Sequence, residues 1–325
     1  MRIAKTLLTA TVAAAVASVA VIDTRAQAPA AAKPAAAKSA AAKPAAKQKT
    51  FDSAKDAAAA LAAAVRASNA DELFAVVGPD ARSWVLSGDI VADRADWKRF
   101  LDAYDQKNAL QATGDRAVLE VGNDAWPFPA PIVKGKDGKW SFDANAGREE
   151  IINRRVGRNE LDTMQTLLAL VDAQREYAAA DPDGNGFADY ARRFRSTAGK
   201  KDGLYWPDEP GKPQSPLGAL AAEAAAEGYG KPAGKPQAFH GYHYKLLTSQ
   251  GKNAPGGAYN YLVKDKLLGG FGIVAYPANY GSSGVMTFMV NHEGVVYEKD
   301  LGAQTAAAAS GMTRFDPDKT WRKAQ

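Results

Sequence analysis

The 325-residue chain has no cysteine, is 46% hydrophobic and 24% charged, and carries 41 Lys or Arg against 36 Asp or Glu, a net charge of +5. Without thiols it is excluded from disulfide-framed folds and from cysteine chemistry, and must draw its stability from burial, for which the length suffices. The positive charge is confined to residues 1–50, whose eight Lys or Arg and one Asp give +7 and leave about −2 for the remainder, so a basic groove for nucleic acid has no support.

Arg2 and Lys5, an apolar run over residues 6–22, and Ala26-Gln27-Ala28 follow the charged, apolar and small-residue order of a secretory signal peptide. This predicts removal of residues 1–28 and a periplasmic or secreted protein with no transmembrane segment after cleavage. Residues 29–50 are nearly all Ala, Lys and Pro, too poor in large apolar side chains to build a core, and read as a solvated linker.

Ser53-Ala54-Lys55-Asp56 has the form of a capping box and predicts a first helix through Leu61 and Val65. A second is predicted over Ala70–Val77, closed by Gly78-Pro79. A third is predicted over residues 94–107, where Trp97, Phe100, Leu101 and Tyr104 recur at helical spacing and read as core. Strands follow at Arg116–Val121, Ile132–Lys134 and residues 139–143, the last two joined by Lys136-Asp137-Gly138. Helices ahead of an antiparallel sheet make residues 51–157 an α+β domain. Together with Trp126-Pro127-Phe128-Pro129, this order resembles the cone-shaped nuclear-transport-factor-2-like fold.

In residues 158–325 a long helix is predicted over 158–180, with Leu161, Met164, Leu168 and Val171 on its packing face. A helix at 217–227 and strands at 242–248, 272–276, 285–290 and 295–299 follow, the last two linked by the turn Asn291-His292-Glu293-Gly294. A long helix before a small antiparallel sheet makes a second α+β domain that resembles a type IV pilin head. A pilin helix, however, continues from an apolar N-terminal anchor, and this one starts mid-chain.

Asp181-Pro182-Asp183-Gly184-Asn185-Gly186-Phe187-Ala188-Asp189 places oxygen-bearing side chains at positions one, three, five and nine and Gly at six, as the first part of an EF-hand-type calcium loop does. Arg192 stands where the bidentate carboxylate belongs. Two readings stay open: Asp181, Asp183, Asn185 and Asp189 hold Ca²⁺, or they satisfy backbone donors in a capped turn. Trp126, Trp140, Tyr205 and Trp206 are candidates to line a sugar- or peptide-binding surface, against the alternative of core packing. His240 and His243, three apart, would face opposite sides of a strand, a poor start for zinc. The run Arg148-Glu149-Glu150 with Arg154, Arg155 and Arg158 reads as a solvated helix face or as a clamp between domains. Glu149, Glu150 and Glu160 would serve hydrolysis only if the fold brought two carboxylates across a cleft.

Longer motifs carry a family resemblance. They include Ala125-Trp126-Pro127-Phe128-Pro129, Arg148-Glu149-Glu150-Ile151-Ile152-Asn153-Arg154-Arg155, Asp202-Gly203-Leu204-Tyr205-Trp206-Pro207, Phe239-His240-Gly241-Tyr242 and the block Gly269-Gly270-Phe271-Gly272-Ile273-Val274-Ala275-Tyr276-Pro277. On these the chain is identified as a member of the bacterial family called domain of unknown function 2950, over nearly the whole mature protein. The resemblance implies an exported location and brings no activity, cofactor or catalytic residue with it. The favoured reading is a non-enzymatic cell-envelope protein that binds a ligand or a partner, such as an envelope protein or polymer. The alternatives are a carboxylate-dependent hydrolase acting on envelope polymers and a structural calcium-binding protein.

Overall fold

The computed structural model describes residues 47–227, 229 and 237–324. The expected signal peptide, and the expected linker up to residue 46, lie outside the described residues. Helix α1 (Ala54–Arg66) starts at Ser53, whose hydroxyl oxygen accepts from the Asp56 N–H at 3.1 Å while the hydroxyl donates back to the Asp56 carboxylate. The serine cap is thus made, with the return bond running from the hydroxyl instead of the Ser53 N–H of a full capping box. Helices α2 (Ala70–Val77), α3 (Arg82–Val85) and α4 (Ile90–Gln106) follow, with Asn69 and Asp89 as side-chain caps of α2 and α4.

Strands β1 (Asn108–Thr113), β2 (Arg116–Val121), β3 (Trp126–Pro127), β4 (Ile132–Lys134) and β5 (Trp140–Phe142) make an antiparallel sheet in the order β1-β2-β4-β5, with β3 also paired to β2. The edge strand β1 was not expected: Asn108-Ala109-Leu110-Gln111-Ala112-Thr113 holds one large apolar residue, and the hairpin register with β2, not its own pattern, makes it a strand. Leu61, Val65, Leu73 and Val77 of the helices are buried against Leu119, Val121, Ile132 and Phe142 of the sheet.

Helix α5 (Arg148–Ala180) begins ten residues before the expected start at Arg158. Gly157 and the charge run look like a break in sequence, but Gly157 faces open space and costs only helix propensity, while Ile151 and Ile152 pack onto the N-terminal core. The buried face overlaps the expected one only in part, at Met164 and Val171. Thr163, Leu167, Leu170, Val171, Gln174 and Tyr177 are buried, whereas Leu161 and Leu168 are 57% and 45% exposed. Two stripes at helical spacing lie side by side, and the one that wins contains Gln174, whose amide both donates to and accepts from the backbone of Ala191 at 2.9 and 2.8 Å. A buried amide with both valences met carries little penalty.

The remaining elements are α6 (Gly218–Glu227), β6 (Tyr242–Leu247), β7 (Ser249–Gln250), β8 (Tyr259–Asn260), β9 (Leu262–Val263), β10 (Lys266–Leu267), β11 (Gly272–Pro277), β12 (Met286–Asn291), β13 (Tyr297–Asp300), α7 (Thr305–Gly311), β14 (Arg314–Phe315) and β15 (Arg322–Lys323). An antiparallel sheet runs β15-β13-β12-β11-β6. Its two central strands alternate between two cores. Ile273, Ala275, Phe288 and Val290 pack with Leu167, Leu170 and Val171 of α5, and Val274 and Met289 pack on the other face with Ala309 of α7 and Phe315 of β14. Burial of both faces explains why β11 reads as a continuous apolar run. The fold is mixed α and β with antiparallel sheets, and the expected boundary between residues 157 and 158 falls inside α5.

Polar groups tie the N-terminal half to the rest. Asp89 is 2% exposed. One carboxylate oxygen caps α4 by accepting from Val91 and Ala92 N–H, and the other accepts from the Tyr229 hydroxyl at 2.7 Å and the Gly241 N–H at 3.0 Å. Burial, then the bond to Asp89, pushes the Tyr229 phenol upward, so it stays a donor. Gly241 has φ +76°, and a Cβ there would lie 2.5 Å from the Asn159 amide, which itself donates to the Ser283 carbonyl at 2.8 Å. Asn279 donates to the Ser87 carbonyl at 2.6 Å.

A candidate ligand cavity walled by arginines

Helix α4 is amphipathic, yet Asp93 is its only fully buried residue. Trp97 and Phe100, expected as core, are half-buried because they wall a cavity of about 470 Å³. Its apolar surface comes from α1 and α2 (Leu61, Val65, Leu73 and Val77), from Trp84 and Val85 of α3, and from Val121 and Phe128 around the sheet. Cavities of this size accommodate small organic ligands, which bind where an apolar wall carries a few placed polar groups.

Those polar groups are four arginines and two aspartates, an excess of two positive charges: Arg99, Arg154, Arg155 and Arg158 against Asp93 and Asp96. Asp96 is held by ion pairs to Arg99 and to Arg158, the latter at 3.2 Å. Arg154 pairs with Glu150 along α5. Both Asp93 oxygens accept from the Ser87 N–H, at 3.0 and 3.1 Å. Burial raises the Asp93 carboxyl above its ordinary range, and the hydrogen bonds from Ser87 and the charge of Arg155 pull it partly back.

Arg155 is 8% exposed. Its Nη2 donates to the Trp84 carbonyl, while its Nη1 is buried with no hydrogen-bond partner among the described residues. Burial lowers its basicity and the nearby Asp93 and Asp96 act the other way, though neither reaches ion-pair distance of it. A guanidinium remains protonated in such settings, so a buried N–H stands unmet.

Of the four aromatic residues singled out in sequence, Trp126 lines this cavity and is 39% exposed. Trp140 packs on the N-terminal core and bridges Phe51. Trp206 is 6% exposed and Tyr205 half-buried in the core beneath α5, each with a cation, Lys201 or Arg195, over its ring. The structure therefore does not bring the four together. Glu160 accepts from the Val285 and Met286 N–H groups at 2.9 Å each and Glu149 and Glu150 are exposed on α5, so these three carboxylates do not meet across a cleft.

For Arg155 the sequence offers a solvated helix face or a clamp between domains, and the residue is buried. The signal that places it indoors is Ile151, Arg155 and Asn159 at four-residue spacing, which is one helix face once α5 is allowed to start at Arg148.

In the 181–189 loop, Asp181 ends α5 at φ +43° and accepts from the Asn185 and Gly186 N–H groups at 3.0 and 2.9 Å. The hydrogen bond from Gly186 holds its carboxyl below the usual range. The Asn185 Nδ2 donates to both oxygens of Asp183, at 2.7 Å, and to Asp189 at 2.9 Å, while its Oδ1 accepts from Phe187. An amide donor thus occupies the centre toward which the carboxylates point. Among the described residues no group of three His, Cys, Asp or Glu side chains is placed to share a metal ion. Replacing the donor by a carboxylate, Asn185→Asp, is expected to lower the melting temperature in chelator through like-charge repulsion, and millimolar calcium should restore it. Wild type should show no calcium shift, and a calcium-induced rise in wild type would instead make the loop a native site.

The model of the family described as Protein of unknown function (DUF2950) matches residues 48–324. This chain belongs to the DUF2950 family. The family match spans the cavity, α5 and the 181–189 loop alike. Comparison with curated proteins and with solved structures finds no match.

Proposed function

We propose that this DUF2950 protein is an exported, non-enzymatic binding protein of the cell envelope whose site is the cavity of its N-terminal half. The observation that carries this reading is the cavity itself, about 470 Å³ and walled mainly by apolar side chains between α1, α2, α4 and the sheet. Helices wrapped on an antiparallel sheet around a hollow interior support the cone-like reading of residues 51–157. The packing of α5 on a five-stranded antiparallel sheet supports the pilin-head reading of residues 158–325. Separate hydrophobic clusters, one within residues 51–152 and others from residue 164 onward, support two domains. The hydrolase reading would now draw on Asp93 and Asp96, but one is committed to the Ser87 N–H and the other to two arginines, which supports binding over turnover.

A neutral fluorescent probe, N-phenyl-1-naphthylamine, tests the site. Wild type is expected to enhance its emission saturably, and Ala103→Trp, on the cavity face of α4, should weaken binding at least about tenfold by filling the space. No enhancement with wild type, or equal binding by the filled variant at an unchanged melting temperature, would remove the cavity as the site.

A further inference from the structure

We propose that the ligand of this cavity is an amphiphile with one anionic headgroup, an oxygen of which accepts from the guanidinium of Arg155 while its apolar body lies against Leu61, Val65, Leu73 and Phe100. The inference rests on the cavity being the binding site.

Three observations lead to this ligand. The Arg155 side chain lines the cavity and is more than nine-tenths buried, and its Nη1 has no hydrogen-bond partner among the described residues. Leaving a charged donor dry and unpaired is costly, and proteins pair such groups or present them to a ligand. Among the described residues the only partner of its other terminal nitrogen is a neutral carbonyl, that of Trp84, so none of them neutralises the guanidinium's charge by direct contact. Asp93, whose charge acts on Arg155, is already held by the Ser87 N–H.

The second and third observations define the rest of the ligand. Arg99, Arg154 and Arg158 are exposed at the cavity edge and exceed the acidic groups there, so the approach favours an anion. One N–H of Nη2 is taken by the Trp84 carbonyl and the two on Nη1 are unmet, a demand that the oxygens of one carboxylate-type head can meet. The remaining wall is aliphatic and aromatic, which calls for a hydrocarbon body and offers little to a sugar.

Calorimetric titration of the mature protein with decanoate and with decan-1-ol tests the headgroup. The two differ in charge and share the body. Wild type is expected to bind decanoate at least about tenfold more tightly, as a charge-assisted hydrogen bond in a buried site warrants. Arg155→Gln should bind both with similar affinity, Arg155→Lys should retain part of the preference, and Lys98→Gln, which removes an exposed charge from α4 outside the cavity, should retain all of it. Equal affinity of wild type for acid and alcohol, or a preference that survives Arg155→Gln, overturns the proposal. If Arg155→Gln fails to fold, the wild-type comparison and Arg155→Lys still decide. If neither compound nor the neutral probe binds wild type, the cavity reading fails as well, whereas binding of alcohol and probe without preference for the acid defeats the headgroup alone.

Discussion

Asp89→Ala is expected to lower the melting temperature by about 10 °C, a loss of roughly 4 kcal/mol. Two costs combine. The carboxylate caps α4 through Val91 and Ala92, a contribution of about 1 kcal/mol. Its other oxygen meets the Tyr229 hydroxyl and the Gly241 N–H, and each buried donor left unmet costs about 1–3 kcal/mol. Asp89→Asn separates the two: Oδ1 still caps the helix, but the amide NH₂ now faces two donors, so about half the loss should remain. Thermal melting followed by circular dichroism gives the answer. A shift below about 2 °C for Asp89→Ala would mean that water replaces the carboxylate at no cost.

Gly284→Ala should cost about 3 kcal/mol, for a steric reason. A Cβ at this position would lie 2.1 Å from the Tyr242 hydroxyl oxygen and 2.5 Å from the ring carbon bearing it. Tyr242 cannot yield: it is 0% exposed, its ring lies tilted against that of Phe288 at 5.9 Å, and its hydroxyl donates to the Met286 carbonyl at 2.9 Å. Overpacking costs about 1–3 kcal/mol, and the displaced hydroxyl loses a buried hydrogen bond of about 1 kcal/mol. Urea denaturation should show a lowered midpoint at unchanged slope. Tyr242→Phe in the same background removes the nearest clashing atom, and should recover part of the loss. No recovery would place the strain in the backbone of the 280–284 turn.

Elements with strong local chemistry were legible in the sequence. Ala70–Val77, Arg116–Val121 and Ile132–Lys134 appear with the expected bounds, because caps, a closing Gly78-Pro79 and β-branched alternation agree there. The start of α5 was not legible, since Gly157 and dense charge outweigh Ile151 and Ile152 in any local reading. The cavity was hidden for a related reason. Trp97 and Phe100 look the same in sequence whether they fill a core or wall a hollow, and only the spacing between α4 and α1 decides. Trp126 was found through its aromatic character, whereas Arg155 was missed because a charged side chain is assigned to solvent unless its helical register is known. Trp206 illustrates the reverse case: a conspicuous aromatic in a distinctive motif turns out to be packed beneath α5.

At 33 residues α5 is a beam of about 50 Å. Its first turns carry Arg155 to the Trp84 carbonyl, its middle carries Asn159 and Glu160 to residues 283–286, and its last half supports the five-stranded sheet. A cut near residue 157 therefore passes through the middle of a continuous helix that contributes to both hydrophobic clusters. An N-terminal fragment ending there would keep Arg155 but lose the anchors that fix its helix, and the complementary fragment would start inside an uncapped turn. One wall of the cavity, at Arg154, Arg155 and Arg158, is thus the end of a girder whose other end is bolted into a different layer of the molecule.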